Sequence, residues 1–283
     1  MKKISNKQEE VKKYILGYPN FKYITEAVNG FNVGELITIA ARPGCGKSTF
    51  CKNLIYNFNF QNIKTLLIST EETEYEVSSK LEKLHLEFDN EFDYNIFYFE
   101  NENLNIEQIE KNIKKSKAKV IFVDYIQQLE GNIRENTKAL KRLAVKYKCI
   151  IFIFSQLNRS ANNRIPDASM LSKSDNILHD SDQVWLLHDS GLKTTNEDDA
   201  LIINIAKNRK GKIGTLIAFN KYQGSLFDIK PEYFDDFTEN YKIELEEKCP
   251  NWAKKIIESI DNIDLSIPKQ DKPFMILKSG IIL

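Results

Sequence analysis

The sequence has no net charge to speak of: 40 Lys and Arg stand against 40 Asp and Glu in 283 residues. With 42% hydrophobic residues, that balance excludes a disordered chain and a uniformly basic, histone-like protein. Nucleic acid stays open as a partner, because charge can be segregated along a chain. Cysteine is scarce and unpaired: Cys45, Cys51, Cys149 and Cys249 lie far apart and form no CxxC pair. The three histidines, His85, His179 and His188, follow no zinc-ligand spacing. Neither a structural zinc site nor a disulfide framework is expected, and a reducing cytoplasm fits. No apolar run approaches the roughly 20 residues of a membrane span. The opening MKKISNKQEEVKKYI starts basic but turns polar where a signal peptide needs an apolar stretch. Internal repeats and low-complexity linkers are also missing. A chain of this length makes one large domain or two small ones and needs no metal or disulfide to fold.

What the sequence does contain is an alternation of strand-like and helical segments between Gly34 and Asp228. Candidate strands are Leu36–Ala40, Thr65–Ser69, Val120–Asp124, Ile150–Ser155, Gln183–Leu187, Leu201–Ala206 and Thr215–Asn220. Most are continuous apolar runs, the pattern of strands covered on both faces in a parallel α/β sheet. Helical spacing over Thr137–Tyr147 puts Leu140, Leu143, Ala144 and Tyr147 on one stripe. Residues 1–16 read as a charged lead-in helix with sparse apolar positions. Charge is segregated: residues 136–166 hold seven bases and no acid, residues 203–222 hold five and no acid, and residues 228–264 are net −6. Taken alone, such runs read as solvated faces.

The strongest motif is Ala41-Arg-Pro-Gly-Cys-Gly-Lys-Ser-Thr49, between an apolar run and a helical segment. It follows GxxxxGK[ST] with Ala41 in the first glycine's place. Gly44 and Gly46 let the backbone aim its N–H groups at phosphate oxygens, and the following helix adds its positive end. Arg42, Pro43, Gly44, Cys45, Gly46, Lys47, Ser48 and Thr49 are thus the nucleotide-binding candidates. Lys47 reaches the β- and γ-phosphates, and Ser48 offers its hydroxyl to Mg²⁺. Asp124, at the end of four apolar residues, is the carboxylate expected on the Mg²⁺ side. A base to orient water comes from a second strand end, where Glu71 and Glu72 both qualify. Gln156, at a third strand end, is placed to sense the γ-phosphate. Lys207 and Arg209 follow a strand and precede a turn; by spacing alone they read as solvated hairpin cations.

Together, in this order, these pieces resemble the C-terminal, RecA-like motor domain of DnaB-type replicative helicases. The matching segments are GFNVGEL (30–36), AARPGCGKSTF (40–50), ISTEET (68–73), IFVDYIQQL (121–129), NTKALKRLAVKY (136–147), FSQLNRS (154–160), HDSDQVWLL (179–187) and AKNRKGKIGT (206–215). The resemblance implies an α/β, RecA-like P-loop ATPase core with a mostly parallel central sheet flanked by helices, occupying residues 17–228. Residues 1–16 become a linker helix that docks on the next subunit, and residues 229–283 a C-terminal extension. ATP and Mg²⁺ are the implied cofactors, single-stranded DNA and other copies of the chain, as a hexamer, the implied partners. Glu71 rather than Glu72 becomes the catalytic base, matching the Glu of the family's SLEM motif. Gln156 takes the sensor role, and Lys207 and Arg209 become a finger pair acting on the adjacent subunit. DNA-contacting loops fall near residues 126–137 and 157–178, with Arg159, Arg164 and Lys173 as phosphate-binding cations.

The family's further N-terminal collar domain has no counterpart in this sequence. In its DNA-loop stretch, the family's Arg, Glu and Gly become Ser172, Lys173 and Asp175. The extension carries a helical pattern after Pro250 and ends in the apolar FMILKSGIIL, which reads as a last strand or as a docking peptide for a replication partner. The expected activity is an ATP-driven helicase or translocase on single-stranded DNA serving a phage, plasmid or other mobile element. The alternative is a DNA-dependent ATPase that does not unwind.

Overall fold

The computed structural model describes residues 13–16, 20–88, 91–101, 105–157, 166, 168–171, 175–193 and 199–229. In chain order the elements are β1 (Lys13–Tyr14), α1 (Lys22–Ala27), β2 (Phe31–Asn32), β3 (Leu36–Ala41), α2 (Lys47–Phe60), β4 (Thr65–Ser69), α3 (Glu74–Phe88), β5 (Phe97–Glu100), α4 (Ile106–Ser116), β6 (Val120–Asp124), α5 (Ile133–Tyr147), β7 (Ile150–Gln156), α6 (Asp175–Asp180), β8 (Gln183–Lys193), β9 (Asp199–Asn208), β10 (Thr215–Tyr222) and β11 (Ser225–Asp228). Short 3-10 turns lie at Tyr94–Ile96, Ile126–Gln128 and Ala168–Leu171.

Nine strands form one sheet in the order β11-β10-β9-β8-β3-β7-β6-β4-β5. The six strands from β8 to β5 run parallel, as expected for continuous apolar runs. The reason for that pattern is visible in the packing. Alternate residues of each strand feed opposite cores: Ile37, Phe122, Phe152 and Phe154 pack with α1, α2 and α3, while Leu36, Ile121, Val123, Ile151 and Ile153 pack with α4 and α5. The first core is aromatic at its centre. Phe152 stacks on Phe122 at 5.1 Å and meets Phe31, Phe58 and Trp185.

β8, β9, β10 and β11 form an antiparallel meander instead. Only residues 209–214 separate β9 from β10 and only Gln223 and Gly224 separate β10 from β11, too few for the crossover a parallel pair needs. β5 escaped the sequence reading: it is an edge strand and all four of its residues are half-buried. Helix α5 starts four residues earlier than its apolar stripe suggests, because the Asn132 side chain accepts the backbone N–H of Arg134 at 2.8 Å and caps it.

The lead-in helix needs correction over its last four residues. Residues 13–16 are not helical: Lys13–Tyr14 form β1, paired antiparallel to β2. Tyr14 and Leu16 are buried in the chain's own first core, so alternation turns every second side chain inward. The basic run in α5 is also less bare than its local sequence. Lys141 pairs with Asp182 at 2.5 Å and Lys146 with Glu110 at 2.7 Å, acids supplied from other elements. Among the described residues, no helix is long and apolar enough to cross a membrane. The C-terminal helix and final apolar strand expected after Pro250 lie outside the described residues.

Candidate active site

Six buried residues of β3 deliver the chain to the loop at 42–46, and α2 leaves it from Lys47. Gly44 and Gly46 have φ of 82° and 81°, the left-handed region that favours glycine. A Cβ at either would meet nothing within 4 Å, so the demand is conformational and the space beside the loop is open. Within the loop, the Cys45 side chain turns into the core and its N–H donates to Arg42 O at 3.2 Å. No side chain caps α2 and no acid sits in its first turn. Its positive end is therefore available to an anion.

The register fixes what surrounds the loop. Ala41 lies between Gln156 at the end of β7 and Leu187 of β8. Gln156 is exposed there, while its neighbour Ser155 is buried and bonded to Gln127 Nε2 at 2.8 Å. Parallel strands β6 and β4 bring their own ends alongside, with Ser69 opposite Asp124. Lys47 stands where these ends converge. Its ammonium is 2.8 Å from Asp124 Oδ1, 3.8 Å from Glu71 Oε2 and 4.5 Å from the centre of the Tyr125 ring.

Asp124 is fully buried, and its second oxygen, Oδ2, has no hydrogen-bond partner. An orphaned carboxylate oxygen at the bottom of an anion-binding loop suits a hydrated divalent cation. The Ser48 hydroxyl in the first turn of α2 is a further oxygen donor. No group of three or more His, Cys, Asp or Glu among the described residues would hold a metal alone. Mg²⁺ bound through water and phosphate oxygens fits this donor set.

The two glutamates after β4 have different surroundings. Glu71 is partly exposed and faces Lys47; burial chiefly, then the charges of Asp124 and Glu72, raises its pKa against the pull of Lys47. Glu72 is buried and divides its oxygens between Lys52 and Lys80. Burial works against its charge, but the two lysines prevail and hold its pKa below the usual range.

Lys207 and Arg209 sit at the opposite end of the strands from Lys47. Lys207 pairs with Val184 near the start of β8, and Arg209 N–H donates to Asp182 O at 3.0 Å, while Asp182 N–H donates to Leu36 O at 2.8 Å. They are therefore level with the beginning of β3, whereas Lys47 lies past its end. Rather than projecting freely, both fold onto the C-terminus of α6. Lys207 Nζ donates to Leu178 O and His179 O, and Arg209 reaches His179 O at 3.0 Å and Asp182 Oδ1 at 3.2 Å. Burial chiefly, then Arg209, lowers the Lys207 pKa. Arg159, Arg164 and Lys173 lie outside the described residues.

Several neighbours of the site carry no sequence signal. His188 of β8 lies 3.4 Å from Arg42 Nη1 through its Nδ1. Burial first, and Arg42 second, push its pKa down to about 4, so the ring is neutral and able to accept from Arg42. Tyr125 and Lys52 could be found only through their contacts.

The chain matches the family model of the DnaB-like helicase C-terminal domain over residues 18–85 and 75–227. It is 26% identical over 255 residues to a probable replicative DNA helicase of Trieres chinensis, covering 74% of this chain and 56% of that protein. It is 26% identical over 250 residues to the replicative DNA helicase DnaB of Helicobacter pylori, covering 74% and 51%. The chain thus spans about half the length of these curated relatives. Among solved structures, an ATPase domain superposes with a TM-score of 0.65 at 17% identity, over 78% of this chain and 94% of that one. A DnaB-like replicative helicase, described with its interactions with primase, superposes at 0.64 and 17% identity, over 75% and 61%. Likeness at that identity speaks to the fold.

Proposed function

This chain belongs to the DnaB-like helicase C-terminal domain family, and on that premise we propose that it is an ATP-hydrolysing motor working on single-stranded DNA as a ring of subunits. One observation carries the reading: Lys47 at the head of α2, Asp124 at the end of β6 and Glu71 after β4 converge beside an open glycine loop. A phosphate-binding lysine flanked by two carboxylates of unlike environment suits hydrolysis of a nucleoside triphosphate. In this reading residues 17–228 are the motor unit.

Residues 42–49 cradle the phosphates, and Lys47 exchanges its carboxylate contacts for the β- and γ-phosphate oxygens. Ser48 and, through water, Asp124 would hold Mg²⁺, which neutralises charge on the phosphates. Glu71 accepts the proton of the attacking water; its raised pKa suits a base better than the suppressed pKa of Glu72. Gln156, level with the root of the loop, reports the γ-phosphate to β7. Lys207 and Arg209 lie at the opposite end of the strands from their own phosphate loop, which favours service to a neighbouring copy's nucleotide over their own. Phosphate-directed contact with DNA predicts little sequence preference and strong salt dependence.

The test is ATPase activity of the purified chain with and without single-stranded DNA, followed by strand displacement on a forked duplex. Stimulation by the single strand supports the motor reading; a rate indifferent to DNA sinks it. Stimulation without displacement selects the DNA-dependent ATPase that does not unwind.

A further inference from the structure

Lys52 lies five residues past Lys47 on the same helix and is 1% exposed. A lone buried ammonium is costly and tends to lose its proton. Lys52 keeps its charge by meeting Glu72, which is itself 8% exposed. Glu72 Oε2 takes the Lys52 ammonium from α2, and Oε1 takes that of Lys80 from α3. Burial disfavours charge on Lys52, but the Glu72 carboxylate against it outweighs that cost and holds its pKa above the ordinary value. Buried pairs of this kind give little net stability compared with apolar residues of the same volume. The surrounding core, with Phe50, Leu54 and Ile55 on the same helix, would accept such residues. Stability alone is a weak account of the cluster.

Its place in the chain supplies a better one. Glu72 is the peptide neighbour of Glu71, in the bend between β4 and α3. Glu71 has little holding of its own: its N–H reaches Ser69 Oγ at 3.3 Å, and its carboxylate is partly exposed and 3.8 Å from Lys47. We infer that the Lys52–Glu72–Lys80 cluster is a positioning device for the base Glu71. It pins the bend to the interior of the helix whose first turn carries Lys47 and Ser48, so one rigid element sets both the phosphate grip and the base. This rests on the reading of Glu71 as the base.

The experiment measures kcat, the KM for ATP and the affinity for a fluorescent ADP in full-length Lys52→Met and Glu72→Gln, with single-stranded DNA present and below each variant's melting temperature. A misplaced base should lower kcat by about tenfold or more while KM and ADP affinity stay within about twofold. Lys52→Arg, which keeps the charge, should recover part of the loss. Where a single variant does not fold, Lys52→Met with Glu72→Met refills the site with apolar groups; it should fold and bind ADP yet turn over slowly. Normal kcat in that double variant, or in the folded single variants, overturns the proposal, as does a fall in ADP affinity matching the fall in kcat. Glu71→Gln separates the two readings. If it turns over normally, the base assignment fails and takes this inference with it. If it is inactive while the Lys52 and Glu72 variants are normal, only the positioning role fails.

Discussion

Lys47 touches both Asp124 and Glu71, so the three side chains should fail in different ways. Lys47→Ala is expected to abolish nucleotide binding. Glu71→Gln should keep it and lower kcat by about 10²–10⁴-fold, as read from ADP affinity and steady-state ATPase rates. His188, beside Arg42 of the loop, and Asp228, on β11, make an acid test of opposite signs. Buried His188, with a pKa of about 4 against an ordinary 6.5, binds fewer protons folded than unfolded. Its contribution to stability is present above about 6.5 and is lost as pH falls toward about 4. Asp228, which accepts the N–H groups of Phe21 and Lys22, is pushed by burial up to about 6 from 3.8. It binds more protons folded, so its penalty is present above about 6 and is relieved on acidification. Relative to the parent chain, His188→Gln should gain stability as pH drops from about 6.5 to about 4, and Asp228→Asn should lose it between about 6 and about 4. Denaturant melts across that range read both differences, and parallel curves would contradict them. At this scale Lys47, Ser48 and Asp124 were legible because a loop motif and a strand end place them. The contrast between Glu71 and Glu72 was not legible in the residues themselves: it depends on which side of a bend each side chain falls, and on lysines from two helices.

Among the elements, β4 and β6 could be read to their ends because alternate residues feed two separate cores and leave no polar interruption. β5 could not, since an edge strand half-covered along its length has no apolar run to show. β1 was hidden for another reason: two residues paired to a two-residue partner carry no periodicity. The start of α5 is set by a cap rather than by apolar spacing. Asn132→Ala should therefore cost about 1 kcal/mol in a denaturant melt, with no change in nucleotide affinity. Phe152 is the opposite case, a side chain whose value is all contact. Phe152→Ala removes the ring stacked on Phe122 and should cost about 3–5 kcal/mol. Because β7 also carries Gln156, that variant should lose ATPase activity at a lower temperature than the parent.

At the scale of the whole chain, the zero net charge proved a poor guide to the surface. The bare basic run of α5 draws Asp182 and Glu110 from elsewhere in the fold, a pairing that only the folded topology creates. The proposed service of Lys207 and Arg209 to a neighbouring copy belongs to the same scale. Arg209→Ala should lower turnover by about 10³-fold or more with ADP affinity intact, and mixing it with Lys47→Ala should restore part of the rate. A mixture as inactive as its components would contradict sharing between copies. The two ends of the strands, Lys47 past one and Arg209 past the other, would then make each copy a link with two unlike ends. Turnover in such an assembly counts junctions rather than chains. An open string has one junction fewer than it has members, a closed circle has as many as members, and a solitary chain has none. Activity per chain should therefore vanish on dilution, and one copy carrying both substitutions should silence two junctions at once.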